Sequence, residues 1–254
     1  MKMLDLFSGI GGISLAADWA GIDTVAFCEI EPFNQIVLNK HWPTVPIFSD
    51  IRTLTKKTLE ERGVDAGAID VVGGGFPCQP YSIAGKRKGT EDDRDLWPEM
   101  FRIIEEVRPT WVVGENVANF VNMELDRTLS DLESIGYKTR TFVLPACAVG
   151  AFHQRKRTFI IANSNSELWE SLTVFPGVRE ESERKKPQEW QQLFFINHGN
   201  NDIEFRKEDQ SLLCRDDDGI PEELDASRLK SLGNAVVPQQ IYPFFAGIKK
   251  ISSF

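Results

Sequence analysis

The chain has 254 residues, 41% of them hydrophobic and 26% charged, which is enough to bury the core of one large α/β domain with a small insertion. No apolar run approaches the ~18 residues a membrane helix needs, and the start, Met1-Lys2-Met3-Leu4-Asp5, turns acidic too soon for an export signal. The net charge of −9 speaks mildly against a nucleic-acid partner, and the scattered cysteines (Cys28, Cys78, Cys147, Cys214) exclude a paired-cysteine metal site and fit reduced thiols in a cytoplasm.

In chain order, Met3 to Phe7 reads as a buried strand, Ser8 to Gly12 as a glycine turn, and Ile13 to Ala20 as a helix stopped by Gly21. Thr24 to Cys28 is a second strand, and Pro32 to Lys40 a helix with proline in its first turn. Pro46-Ile47-Phe48 marks a third strand. Ala68 to Gly73 and Thr110 to Gly114 are continuous apolar runs of the kind found in strands covered on both faces. Leu125, Leu129 and Leu132 share one helical stripe, and Phe159 to Ala162 closes the series. Alternation of this kind predicts a doubly wound, mostly parallel, Rossmann-like sheet with helices on both faces.

From residue 163 to 226 the texture turns polar, with single aromatics such as Trp169, Phe175 and Trp190 and no clean period. Order resumes at Arg228 to Phe254, where Gly233-Asn234-Ala235-Val236-Val237-Pro238 leads into the apolar segment Ile241 to Ile251. The expected organisation is therefore a discontinuous domain, 1–162 plus 227–254, around a second region at 163–226.

Strand, Ser8-Gly9-Ile10-Gly11-Gly12, helix is a nucleotide-type loop: glycines allow close backbone approach and the helix start offers free N–H groups. Glu29, at the end of the second strand, is placed for ribose hydroxyls, and Asp50, after the third, for an adenine amine. The loop alone fits a nicotinamide dehydrogenase, an adenosine-containing methyl donor, or a structural turn. A missing third glycine tilts it away from a dinucleotide.

Gly74-Gly75-Phe76-Pro77-Cys78-Gln79-Pro80 follows a buried strand, so Cys78 is expected at the carboxyl edge of the sheet, where ligands of open α/β sheets gather. Glu115-Asn116-Val117 follows the next strand and should share that edge. Arg155 and Arg157 alternate towards one face ahead of the strand that begins at Thr158.

These residues carry a resemblance. Asp5-Leu6-Phe7-Ser8-Gly9-Ile10-Gly11-Gly12, Glu29, Asp50, Pro77-Cys78-Gln79, Glu115-Asn116-Val117, His153-Gln154-Arg155-Lys156-Arg157 and Gly233-Asn234-Ala235-Val236-Val237-Pro238 follow in the order seen in DNA (cytosine-5)-methyltransferases of bacteria and phages. The chain resembles that family over nearly its whole length, with residues 163–226 where the family carries its target-recognition domain. One departure is His153, which stands where the family usually has glutamine.

The resemblance implies S-adenosylmethionine as methyl donor, no metal, and duplex DNA as substrate. It implies a thiolate role for Cys78, with Glu115 on the cytosine ring and Arg155 and Arg157 supplying positive field. Phe7, Gly9, Gly11, Glu29, Asp50, Pro77, Asn234 and Val236 would hold the donor. Gln79, Ser82, Lys86, Arg87 and Lys88, in a glycine-flanked segment, would form a lid on the DNA. A monomer is expected, working in the cytoplasm, with a cognate restriction endonuclease acting separately. A transfer-RNA cytosine-5 methyltransferase of the same fold and a catalytically idle DNA-binding homologue remain open from the residues alone.

Overall fold

Short apolar runs bounded by glycines, too brief for helices, form the centre of a sheet. The computed structural model describes residues 1–77, 95–165 and 222–252. In it β1 (Lys2–Leu6), β2 (Asp23–Cys28), β3 (Ile47–Phe48), β4 (Val71–Gly74), β5 (Trp111–Val117), β6 (Lys138–Leu144) and β7 (Arg157–Asn163) make one sheet in the order β3-β2-β1-β4-β5-β7-β6. The strands from β3 to β5 are parallel, and β7 runs antiparallel to both β5 and β6. The mostly parallel α/β sheet is thus as expected, with an antiparallel hairpin added at one end.

Strand alternation divides the core. Met3, Val71, Trp111, Val113 and Phe159 face α1 (Gly12–Trp19) and the last helix, α7 (Pro238–Ile251), and pack with Ile13, Ile241, Phe244 and Phe245. Leu4, Leu6, Val72 and Val112 face the other way, onto Met100, Ile103 and Ile104 of α4 (Trp97–Val107) and Leu132 of α5 (Leu125–Ser134). Helix α2 (Pro32–His41) begins on its proline, and α3 (Lys56–Glu61) on a reciprocal cap between Thr55 and Thr58. Trp97 and Trp111 are core residues, and Cys28 is buried.

Two boundaries and one strand differ from the sequence reading, each for a local reason. The run from Ala68 is not all strand: Asp65 caps a 3₁₀ turn at Ala66–Ala68, and extension begins at Val71. Strand β5 continues past Gly114, because β7 pairs with Glu115, Asn116 and Val117 as well. Strand β6 is an edge strand with Lys, Thr and Arg along it, so it lacks the apolar run that marks its neighbours.

By its contacts the chain divides into Met1–Val178 with Asn234–Phe254, and Arg179–Gly233. Of the second unit, the described part is helix α6 (Glu222–Asn234) as far as Gly233. The region expected to choose the target lies largely outside the described residues.

Candidate active site

The glycine loop begins where β1 ends. Phe7 adopts φ 54°, a left-handed conformation that costs a side chain with a Cβ, and Gly9 and Gly11 follow at φ 55° and 88°. The Ser8 hydroxyl donates to the Asp5 carbonyl at 2.7 Å and the Gly11 N–H to the Ser8 carbonyl at 2.9 Å, which closes the turn. Glu29, buried at the end of β2, holds the loop from the side. Its Oε2 accepts from the Gly9 N–H at 2.7 Å and its Oε1 from the Glu31 N–H at 2.8 Å.

A cavity opens against this loop, lined by Phe7, Ser8, Gly9, Glu115, Asn234 and Val236 among others. The glycine loop and the segment before α7 meet there closely enough that a Cβ on Gly12 would stand 2.8 Å from the Val236 carbonyl oxygen. Gly11, expected to approach a ligand, instead approaches protein. A Cβ there would lie 2.5 Å from Cζ3 of Trp42, and Gly11 does not line the cavity. Glu29, Asp50 and Pro77 are not in the cavity lining either. Glu29 reaches the cavity through its bond to Gly9. Asp50 caps the 3₁₀ turn Ile51–Thr53, its Oδ1 accepting from the Arg52 N–H at 2.9 Å.

Beneath the loop, Asp5 is fully buried. Its Oδ2 accepts from Ser14 Oγ at 2.6 Å, and Ser14 Oγ accepts from Thr24 Oγ1 at 3.0 Å, so β1, α1 and β2 are tied at one point. Burial pushes the Asp5 carboxyl up to about 7; the Ser14 hydrogen bond opposes that rise and the Glu29 charge adds to it.

Glu115 projects from β5 into the same cavity and is only 8% exposed. Its Oε1 lies 2.8 Å from Arg157 Nε, and Arg157 stands opposite Val117 on β7, so the sheet register itself sets this ion pair. Burial raises the Glu115 carboxyl to about 7 despite the lowering influence of Arg157 and then Arg155. Both protonation states are therefore accessible near neutrality. Gly75 leaves room for this carboxylate: a Cβ there would lie 3.0 Å from Oε2.

Arg155 is fixed differently. Its Nη2 donates to the Ala235 carbonyl at 2.8 Å, and Gln240 Nε2 donates to the carbonyls of Leu144 and Arg155 at 2.9 and 3.2 Å. The arginine motif is thereby stitched to the segment before α7. Burial, helped by the Arg157 charge, holds the Arg155 guanidinium below its usual range.

The structure thus brings together Phe7, Gly9, Glu115, Arg155, Arg157, Asn234 and Val236. Pro77 is exposed at the end of the described segment, and Cys78, Gln79, Ser82, Lys86, Arg87 and Lys88 lie outside the described residues. His153 is exposed, and no structural hydrogen bond from it is found among the described residues.

Two positions make hydrogen bonds that the sequence alone does not announce. Asn116 Nδ2 donates to the Phe76 carbonyl at 3.1 Å, while its Oδ1 accepts from the Val117 N–H at 2.9 Å. It anchors the backbone just ahead of Pro77. Gln240 is fully buried in an apolar stretch, a placement that itself signals a bonded role. Among the described residues, no cluster of His, Cys, Asp and Glu could hold a metal ion, and no helix is long and apolar enough to cross a membrane.

A family model for C-5 cytosine-specific DNA methylases matches residues 1–217. The chain is 33% identical over 172 residues to Type II methyltransferase M2.BsuMI of Bacillus subtilis, covering 64% of this chain and 42% of that protein. It is 35% identical over 173 residues to M.MspI of Moraxella sp, covering 66% and 40%. It thus spans less than half the length of those two relatives. Among solved structures, a putative DNA modification methyltransferase encoded within an E. coli prophage superposes with a TM-score of 0.55 at 28% identity, over 66% of this chain and 47% of that one. The S. pombe Dnmt2 methyltransferase superposes over 100% of this chain and 99% of its own with a TM-score of 0.64; at 17% identity that likeness speaks to the fold.

Proposed function

The chain belongs to the C-5 cytosine-specific DNA methylase family, and from that premise we propose that it methylates C5 of a cytosine swung out of duplex DNA, using S-adenosylmethionine. The observation that carries this reading is the buried Glu115 carboxyl, which lines the cavity of the glycine loop and pairs with the half-buried Arg157.

The cradle suits such a donor. Among the described residues, nothing stands within 4 Å of where a Gly9 Cβ would be. Each Glu29 oxygen accepts one backbone N–H, which leaves a lone pair for a ribose hydroxyl. Phe7 and Gly9 would take one side of the donor and Asn234 and Val236 the other, with Asp50 near the base. When bound, S-adenosylmethionine supplies an electrophilic methyl group on a cationic sulfur.

The chain's own groups activate the acceptor. The Cys78 thiolate adds its electron pair to C6 of the cytosine, and the ring's electrons move towards N3 and C5. Glu115, protonated near neutral pH, donates to N3 and offsets the charge that builds there. Arg157 then pairs with the carboxylate left behind. After C5 has been methylated, a water removes the C5 proton, the C5–C6 double bond re-forms, N3 returns its proton to Glu115, and the Cys78 thiolate departs with its electron pair. A cytosine within a duplex hides C6, so the base must leave the stack.

The test is incubation with S-adenosylmethionine and duplex DNA containing 5-fluorocytosine. Fluorine cannot depart as a proton, so a covalent protein–DNA complex should accumulate, with the bond mapped to Cys78. Cys78→Ala should abolish both complex and turnover; turnover surviving in that variant would overturn the mechanism.

A further inference from the structure

Between Glu133 and Glu167 the chain carries no Asp or Glu, yet it carries Lys138, Arg140, Arg155, Lys156 and Arg157. In a protein of net charge −9 that stretch is a local reversal of sign. It folds as the β6–β7 hairpin with its connecting loop, residues 145–156. The loop is well held at its base: Ala146 N–H donates to the Gln154 carbonyl at 2.7 Å, and Ala151 N–H to the Ala146 carbonyl at 3.2 Å. At its tip Phe152 is 94% exposed, the highest exposure among the large apolar side chains described. His153, Gln154 and Lys156 beside it are exposed too. The loop then enters β7 at Arg157, the partner of Glu115.

An aromatic ring held in water by a braced loop, close in sequence to Arg155, Lys156 and Arg157 and with no acid in its own hairpin, matches a base flanked by phosphates. We propose that Phe152 stacks against a base of the DNA next to the extruded cytosine, while Lys156 lies along the backbone phosphates. Extruding one base uncovers the faces of its neighbours, and an apolar wedge restores part of the lost stacking. Sequence preference is not expected from this contact, because every base offers a π face. The proposal rests on the reading of DNA as substrate and names one of its contacts.

The experiment uses the full chain and a random-sequence duplex with 5-bromo-2′-deoxyuridine in place of thymidine, read by near-ultraviolet crosslinking and by anisotropy across a salt series. A crosslink should map to Phe152. Phe152→Ala should weaken duplex binding about tenfold to a hundredfold with an unchanged salt slope. Phe152→Tyr and Phe152→Trp should stay within about threefold of wild type, because they keep the ring. Lys156→Gln should instead flatten the salt slope by about one.

Unchanged affinity in Phe152→Ala would overturn the proposal. So would a loss of affinity shared equally by the Ala, Tyr and Trp variants, since that would mark a packing role. Wild-type protein that forms the 5-fluorocytosine complex while Phe152→Ala binds normally removes this contact alone. Wild-type protein that neither binds duplex nor forms the complex removes the premise.

Discussion

Arg157 Nε stands 2.8 Å from Glu115 Oε1 across two antiparallel strands, and Glu115 lines a cavity between the glycine loop and residues 234–236. That pair links the sheet register to the proposed chemistry, because it fixes the position of a carboxyl whose proton is easily gained or lost near pH 7.

Glu115→Gln keeps the shape and removes the transferable proton. We expect kcat to fall by about 10² to 10⁴, the range for a lost general acid, while affinity for S-adenosylmethionine stays within about threefold. Steady-state methylation and calorimetric titration of the donor check the two halves. A collapse of donor affinity at normal kcat would mean that Glu115 serves the cavity and not the ring.

With the protonated form of Glu115 as the working one, kcat/KM should decline as pH rises through about 7. Glu115→Gln should lack that limb.

Stability should follow the buried Asp5 with a definite sign. Its carboxyl is raised from 3.8 to about 7, so between those values the native state keeps a proton that the unfolded chain has released. Raising the pH across that window therefore lowers stability, and the loss levels off above about 7. Asp5→Asn should flatten this part of the profile, as read by Tm at pH 5, 6, 7 and 8. A parallel decline in the variant would assign the effect to other groups.

Asn116→Ala frees the Phe76 carbonyl, two positions ahead of Cys78 in the sequence. A buried partner left unsatisfied costs about 1–3 kcal/mol. The expected result is a five- to hundredfold slower formation of the 5-fluorocytosine complex, with donor binding unaffected.

Gly12→Ala would drive a Cβ to 2.8 Å from the Val236 carbonyl oxygen, a backbone atom that cannot simply rotate away. Overpacking of this kind costs about 1–3 kcal/mol. Here it should push residues 234–236 outward and weaken donor affinity about tenfold, measured by titration.

The strand–helix alternation was legible because β1, β2, β4 and β5 are covered on both faces and so read as unbroken apolar runs. The polar edge strand β6 gave no such signal. The glycine loop could be located from its spacing, yet the roles of its glycines could not. Gly9 lines the cavity, whereas Gly11 makes way for Trp42, a partner more than thirty positions away that no local pattern announces. Glu115 and Arg157 were both named from their motifs, but their pairing depends on an antiparallel register that only the fold supplies. Asn116 passed as part of a motif, although its amide is what braces the neighbouring strand end.

The meeting of Gly12 with Val236 has a consequence for biosynthesis. A ribosome shields the most recently made stretch of a nascent chain, so residues 234–236 emerge only after the sheet has been available to form. The cavity stays without one wall until then, and because α7 follows these residues the sheet face of Val71, Val113 and Phe159 is still uncovered, so an unfinished polypeptide should be unable to hold a small molecule there.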